Sequence, residues 1–365
     1  MYNKSILNSK KIKNLLSYAV FAITLIIPAI TFAQETEKKA AEKFSPKEII
    51  FEHIGDSHSW HVAIPLMEEF SLPLPIILYT DKGLEVFSSA KVTAEHGEGE
   101  HEVKTYQGKY YSYLLDHDKI KVADAEGKIN EEASKKVFDF SITRNVASMW
   151  MTILILLVIF TSVSSTYKKR VGKTPKGLQS FLEPLILFVR DDVAIPNIGV
   201  KYARYMPLLL TIFFFILINN LFGLLPVFPG GYNLTGNIAV TLTLSFIVLV
   251  VINFSGNKYY WKHIFMPDIP FWLYPIMVPV EMIGIISRPF ALMIRLFANI
   301  TAGHIIVLSL ISLIFIFNSL AIAPVSVVFV VFMDTIELLV AFLQAFIFTM
   351  LSALFIGMAV EEHHH

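Results

Sequence analysis

Long apolar runs constrain the fold of this chain more than any other feature of its sequence. A helix needs about 20 apolar residues to cross a hydrocarbon core of ~30 Å, and three runs meet this length, at 147–165, 205–228 and 237–256. Two more, at 271–317 and 321–360, are about twice as long as one crossing requires, since about 40 helical residues extend roughly 60 Å. We therefore predict five membrane helices, with the last two strongly tilted.

The composition agrees with a membrane protein. The chain has 365 residues, 55% of them hydrophobic, and its mean hydropathy of +0.59 is too high for an ordinary soluble protein. It contains no cysteine, so it can form neither a disulfide framework nor a thiolate metal site. The formal net charge is zero, and no basic patch suggests a nucleic-acid partner. We expect no cofactor and no metal ion.

The N-terminal segment has the layout of a secretory signal peptide. A basic stretch between Lys4 and Lys13 precedes the apolar stretch "LLSYAVFAITLIIPAI" and the small residue Ala33. We expect residues 1–33 to be removed by cleavage after Ala33. A retained first membrane helix is the alternative, and in both cases the residues that follow lie outside the cytoplasm.

Residues 34–145 are rich in charge and form the next part of the chain. The stretches "LPIILYTDKGLEVFSS" and "KYYSYLLDHDKIKV" contain apolar segments bounded by turn residues, which predicts short β-strands. We interpret this part as a small extracytoplasmic arm.

Five of the arm's six histidines fall in two short stretches, His53, His58 and His61 in the first and His96 and His101 in the second. Histidines beside acidic residues can bind zinc, but the spacing here matches no fixed zinc motif. We therefore expect solvated surface side chains.

Basic residues predict the orientation in the membrane. The cluster "YKKRVGKTPKG" directly follows the first span and marks the cytoplasmic side, as do Lys258 and Lys262 after the third span. The predicted all-α membrane domain covers 146–362, with the N-terminus outside and the C-terminus in the cytoplasm. Between the first two spans, residues 178–198 are too charged to cross and predict an amphipathic interfacial helix.

The fourth apolar run contains charged residues at regular spacing. Glu281, Arg288, Arg295 and Asn299 are separated by 7, 7 and 4 residues. At about 100° per residue they fall within about 40° of one another, on one helix face. Arginine stays charged, and a charge at the bilayer centre costs roughly 2.5–3.5 kcal/mol or more. Such a stripe therefore faces protein or water, whereas His304 points away from it by about 140° and faces another partner.

The last run carries a second polar stripe. Asp334, Glu337 and Gln344 fall within about 80° of one another, and the simplest partners for the two acids are His304 and Arg295. Paired charges that only fix helix packing are one interpretation. A proton or ion pathway is favoured, because several titratable groups occur on two adjoining over-long helices.

Specific strings give the chain a family resemblance. The string "RLFANITAGH" is followed about 35 residues later by "LQAFIFTMLS", and both resemble the a subunit of F-type ATP synthases. "NNLFGLLP", "GNIAVTLTLS" and "EMIGIISRPFALMIRLFAN" resemble other segments of that family. The resemblance covers about 140–360.

The resemblance implies a stator that works against a rotating ring of c subunits. Arg295 matches the family's essential arginine, which faces the ring carboxylate in mid-membrane and prevents protons from passing straight between two half-channels. A fixed cation favours the ionised form of a nearby carboxylate and cannot itself carry a proton.

The resemblance also assigns positions along the proton path. Asn299 and Gln344 match polar positions near the arginine, and Glu281 matches an acid implicated in the exit to the cytoplasm. His304 and Glu337 match positions that hold glutamate and histidine, respectively, in many bacteria, so the pair is exchanged here. The exchange supports contact between the two positions and a shared role in the half-channel open to the outside.

One departure concerns the second span. The family's aspartate near its end is Gly223 here, so the resemblance implies a differently lined inlet path, with Asp334 as the candidate for the missing acid. We assign supporting roles to Asn220, within "NNLFGLLP", and to Arg288.

The implied partners are the c-ring, b-type peripheral stalk subunits, the lipid bilayer of a bacterial plasma membrane, and protons or sodium ions. The chain itself would perform no ATP chemistry. An ion-coupled secondary transporter is the alternative, and it predicts inverted repeats, which are not apparent. A structural membrane anchor, in which Arg295 only pairs with an acid, is a second alternative.

Overall fold

The computed structural model describes residues 55–62, 70–92, 105–116, 119–124, 127–170, 172–225, 230–232, 234–267, 269–317 and 322–361. The predicted signal segment 1–33 lies outside these residues. Two compact units share the chain. The first contains the residues up to Arg144 together with Leu224–Gly231 and Gly303–Glu337. The second contains Asn145–Gly223, Tyr232–Ala302 and the residues from Leu338 onward.

The arm contains three small antiparallel sheets. The strands are β1 (Ser59–Val62), β2 (Phe70–Pro73), β3 (Pro75–Thr80), β4 (Gly83–Ser88), β5 (Tyr106–Gln107), β6 (Ser112–Asp116), β7 (Lys119–Ala123) and β8 (Phe138–Asp139). β1 pairs with β2, β3 lies between β4 and β8, and β6 lies between β5 and β7. A short helix, α1 (Glu131–Ser134), precedes β8. These strands include the segments that the sequence predicted.

Buried and exposed side chains alternate along β3 and β4, and the buried ones form a small core with residues of β6 and β7. Ile76 and Leu78 on β3 and Phe87 on β4 are buried with Tyr113 on β6. The Phe87 and Tyr113 rings stack with centroids 5.5 Å apart, and the Tyr113 hydroxyl donates to buried Glu85 over 2.9 Å. Burial, together with this carboxylate, raises the pKa of Tyr113. A buried carboxylate is tolerated here because it accepts hydrogen bonds.

Five described helical stretches are long and apolar enough to cross a membrane. The helices are α2 (Arg144–Lys169), α3 (Leu178–Phe188), α4 (Ile195–Ile198), α5 (Tyr202–Leu224), α6 (Ile238–Ser255), α7 (Lys258–Phe265), α8 (Tyr274–Ile316) and α9 (Ala323–Val360). The number of spans agrees with the sequence prediction, and the chain is mostly helical. α8 and α9 are continuous over 43 and 38 residues.

The segment predicted as an interfacial helix, 178–198, is helical but not uniform. A π-helical turn, Val189–Ala194, separates α3 from α4, and Gly199 then begins a 3₁₀ turn that leads into α5. π-Turns often occur at functional sites. Residues Leu178–Leu224, which include α3, α4 and α5, form one of the five stretches that are long and apolar enough to cross a membrane.

The second unit has an apolar core to which α5, α9 and the helical segment 178–198 contribute most of the buried residues. Leu209, Ile212, Phe213 and Ile216 are almost fully buried. Aromatic rings extend this core, with Phe213 and Phe342 in edge-to-face contact at 5.9 Å between centroids.

Backbone contacts hold the C-terminal end of α9. The backbone N–H of Asn257 donates to the carbonyl of Ala359, and its side-chain amide donates to that of Val360, over 3.0 and 2.8 Å. The ammonium group of Lys201 reaches the carbonyl of Val360 over 3.3 Å. The last carbonyl groups of a helix have no partners within that helix, so these donors satisfy them.

Candidate ion-conducting site

Arg295 and Asn299 lie one turn apart on α8, and both side chains are exposed. Their neighbours Leu292 and Leu296 are only 2% and 1% exposed and pack into the core of the second unit. Arg295 has no ion-pair partner among the described residues. The helix therefore buries its apolar face and presents a permanent cation on an apolar surface.

His304 and Glu337 are in contact. The His304 Nδ1 atom lies 3.7 Å from the Glu337 Oε2 atom, and the two side chains are 16% and 11% exposed. This contact agrees with the expectation drawn from the exchanged pair. The second carboxylate oxygen of Glu337 is buried and has no hydrogen-bond partner among the described residues.

Gly303 allows the close approach of Glu337. A Cβ atom at position 303 would lie 2.7 Å from the Glu337 Oε1 atom, closer than real Cβ contacts permit. The sequence analysis missed this residue, although "AGH" places a glycine directly before His304.

Asp334 lies one turn before Glu337 on α9 and is half-buried. No described residue forms an ion pair with Asp334. Of the two pairings expected for these acids, His304 with Glu337 is present, whereas an ion pair between an acid and Arg295 is not found among the described residues.

Glu281 and Arg288 occupy the first half of α8 and are partly exposed. The Arg288 guanidinium lies 5.5 Å from the centroid of the Phe355 ring, a cation–π distance. The hydroxyl of Tyr260 on α7 is buried and has no hydrogen-bond partner among the described residues. Burial raises the pKa of Tyr260, while Arg288 lowers it and Glu281 raises it. The sequence analysis missed both Tyr260 and Phe355.

Asn220 belongs to a buried hydrogen-bonded network. Its amide donates to the carbonyl of Ala341 over 3.2 Å, and its oxygen accepts from the Thr235 hydroxyl over 2.7 Å. Gln344, three residues beyond Ala341 on α9, is 3% exposed. Asn220 thus links α5 to the turn after it and to α9.

Asn219 anchors a second buried cluster. Its side-chain oxygen accepts from the Thr152 hydroxyl over 3.0 Å, and the Tyr232 hydroxyl lies 3.2 Å from that of Thr152. Burial raises the pKa of Tyr232 to about 12, so this phenol keeps its proton at neutral pH. Buried polar clusters inside membrane helices are functional-site candidates.

No group of three or more His, Asp or Glu side chains that could hold a metal ion occurs among the described residues. His58 is 2% exposed, so the expectation of a solvated surface side chain is wrong for this residue. Its Nε2 atom lies 3.6 Å from a carboxylate oxygen of Asp139. Burial raises the pKa of Asp139, but the nearby His58 ring and hydrogen bonds from Ser141 outweigh it and lower the pKa overall. The side chains of His53, His61, His96 and His101 lie outside the described residues.

Fold and site together define a multi-pass membrane protein whose titratable and permanently charged side chains lie on its membrane helices. The particular family follows from comparison with known proteins. The family model described as ATP synthase A chain matches residues 146–357, and the chain belongs to this family. A second model, described as a domain of unknown function (DUF8433), matches residues 49–140.

Comparison with individual relatives supports the same family. The chain is 50% identical over 233 residues to ATP synthase subunit a of Chloroherpeton thalassium. The aligned region covers 62% of this chain and 69% of the relative. The chain is 42% identical over 312 residues to ATP synthase subunit a 2 of Prosthecochloris aestuarii, which covers 81% of this chain and 94% of that relative. Similarity to the second relative therefore extends beyond the membrane helices.

Proposed function

We propose that this chain is the proton-translocating stator subunit of a rotary ATP synthase. The exposed Arg295 carries the proposal, because a permanent cation on an apolar helix needs a partner, and no described residue forms an ion pair with it. Family membership supports a partner on another subunit, the carboxylate of the c-ring.

The role of Arg295 follows from its charge. A guanidinium group held close to a ring carboxylate favours the ionised form of that carboxylate, so the proton leaves as the carboxylate approaches. Because arginine keeps its proton in proteins, it cannot pass that proton on. It therefore separates the two half-channels electrostatically while the ring turns.

The half-channels are assigned to two groups of residues. His304, Glu337 and Asp334 provide groups that can take up and release protons on the side open to the outside, with Gln344 and Asn299 as polar neighbours in sequence. Glu281, with Arg288, lines the exit to the cytoplasm. Asn220 supports the first group, because its amide binds the backbone of α9 at Ala341.

The proposed topology places this subunit as a multi-pass protein of a bacterial inner membrane. Residues 1–33 form a signal segment, 34–145 an extracytoplasmic arm, and 146–362 the membrane domain with a cytoplasmic C-terminus. α3 lies at the interface, α8 and α9 are tilted, and b-type stalk subunits complete the stator. The family match to 146–357 supports this membrane domain. It also favours the stator over a secondary transporter or a structural anchor.

Cross-linking tests the proposed partner, since the chain contains no cysteine of its own. Ala298 is exposed one turn from Arg295, and Leu157 is 58% exposed on α2. We expect Ala298→Cys to form a disulfide with a cysteine placed beside the ring carboxylate, and Leu157→Cys to form none. A transporter or an anchor predicts no ring cross-link at either position.

A further inference from the structure

The sheet β4-β3-β8 presents an apolar outer face. Five side chains on this face are 54–65% exposed: Tyr79, Leu84, Val86, Phe138 and Phe140. Tyr79 stands opposite Leu84 on one side and Phe138 on the other, so the side chains form one patch. Contiguous apolar patches on a protein surface mark sites of contact with a partner or a membrane.

This face is not the inner face of the sheet. Ile76 and Leu78 alternate with Tyr79 along β3 and fill the core of the arm. Both faces of the sheet are therefore apolar, whereas a sheet with one face in water alternates apolar and polar residues. The pattern indicates that the outer face is also covered in the assembled protein.

The neighbouring sheet shows the contrast. On β6 and β7, Asp116 stands opposite Lys119 and forms an ion pair with Lys121. That sheet carries the charged residues expected of a surface in water. The outer face of β4-β3-β8 therefore differs in character from the β5-β6-β7 sheet in the described part of the arm.

Hydrogen bonds fix this face close to the start of the first membrane helix. The backbone N–H groups of Phe140 and Ile142 donate to the carbonyls of Ile77 and Pro75, over 2.8 and 3.1 Å. Helix α2 begins at Arg144, four residues after Phe140, and four residues span at most about 14 Å.

The length of α2 places its start at the membrane surface. Its 26 residues extend about 39 Å, which exceeds the ~30 Å hydrocarbon core and carries its ends into the headgroup region. A sheet bonded to the segment before Arg144 therefore lies within reach of the lipid.

We propose that the outer face of β4-β3-β8 lies against the lipid of the leaflet from which α2 emerges. Tyrosine, the residue at position 79 of this face, is enriched at this level of a membrane. The exposed lysines Lys135 and Lys136, just before Phe138, can bind lipid phosphate groups. Continuity with the membrane helix favours lipid over a separate protein as the occupant. The proposal does not depend on ion conduction.

Fluorescence quenching in liposomes tests the proposal. In the whole reconstituted complex, this chain would carry the only reactive cysteine, as Val86→Cys or Leu84→Cys, labelled with an environment-sensitive fluorophore. Lys128→Cys, exposed just after β7 at the other end of the polar sheet from Lys119, is the matched control. We expect lipids brominated on the acyl chain to quench the first two labels about two-fold or more relative to the control, and iodide to quench them less.

Two results would overturn the proposal. Equal iodide quenching at all three positions would place the face in water. Protection of the Val86 and Leu84 labels from both quenchers would show that protein covers the face, whether another subunit or another segment of this chain. ATP hydrolysis by each labelled complex verifies that the arm has not prevented assembly.

Discussion

Single residues determine how the acid on α9 meets the imidazole on α8. Glu337 touches His304 with one carboxylate oxygen, and its other oxygen approaches a glycine. A carboxylic acid and an imidazole can each take up or release a proton. The pair therefore keeps a proton donor and a proton acceptor whether the acid is at position 337, as here, or at position 304. The missing side chain at Gly303 is what leaves room for the acid.

Substitution of Gly303 by alanine tests this packing. The added Cβ atom would displace Glu337, and overpacking of this kind costs about 1–3 kcal/mol. We expect Gly303→Ala to reduce ATP-driven proton pumping in membrane vesicles several-fold. Gly284→Ala on the same helix is the control, since a Cβ atom there meets nothing within 4 Å. Equal proton pumping by the two variants would show that pumping does not require the close approach of Glu337 to Gly303.

Exchange of the pair tests its shared role. We expect His304→Ala and Glu337→Ala each to impair proton pumping, because each removes one proton-accepting group. The double variant His304→Glu, Glu337→His keeps one acid and one imidazole, so we expect it to retain more activity than either single variant. No recovery in the double variant would contradict a role that the two side chains share.

Secondary-structure elements show how this chain holds its long helices. At the C-terminal end of α9, the side chains of Asn257 and Lys201 donate hydrogen bonds to the carbonyl of Val360. Gly357, near the same end, packs on the backbone of Asn197. A side chain at position 357 would overlap the Asn197 carbonyl oxygen. The register of α9 against the segment before α5 therefore depends on a small residue.

The corresponding prediction concerns stability. Gly357→Ala forces α9 away from Asn197, and an overlap with backbone has no flexible side chain to relieve it. We expect this substitution to lower the free energy of unfolding by about 1–3 kcal/mol. The measurement is the thermal unfolding midpoint of the detergent-solubilised complex, with Gly284→Ala again as the control. An unchanged midpoint would refute the close contact.

Sequence reasoning succeeded where a signal is local and periodic. Run length gave the five spans, and helical spacing placed Arg295 and Asn299 on one face of α8, where both side chains are exposed. It could not find the network around Asn220, whose partners Thr235 and Ala341 lie 15 and 121 residues away. It also misjudged His58, because burial of a polar side chain depends on tertiary packing rather than on its neighbours in sequence.

The whole molecule combines a membrane domain of the ATP synthase A chain family with an arm that matches a separate family model. The membrane part contains the polar and charged residues that we assign to ion transfer, and the arm has its own core around Tyr113. In the membrane part, Arg295 is exposed and has no ion-pair partner among the described residues, so the proposed stator role depends on this residue.

ATP-driven proton pumping in vesicles with Arg295→Ala tests that claim most directly. The control is Arg204→Ala, which removes an exposed arginine at the start of α5. We expect Arg204→Ala to pump protons and Arg295→Ala to pump none, with both complexes assembled. Pumping by Arg295→Ala at the level of the control would contradict the account, because a stator without its fixed cation could not force the ring carboxylate to release its proton.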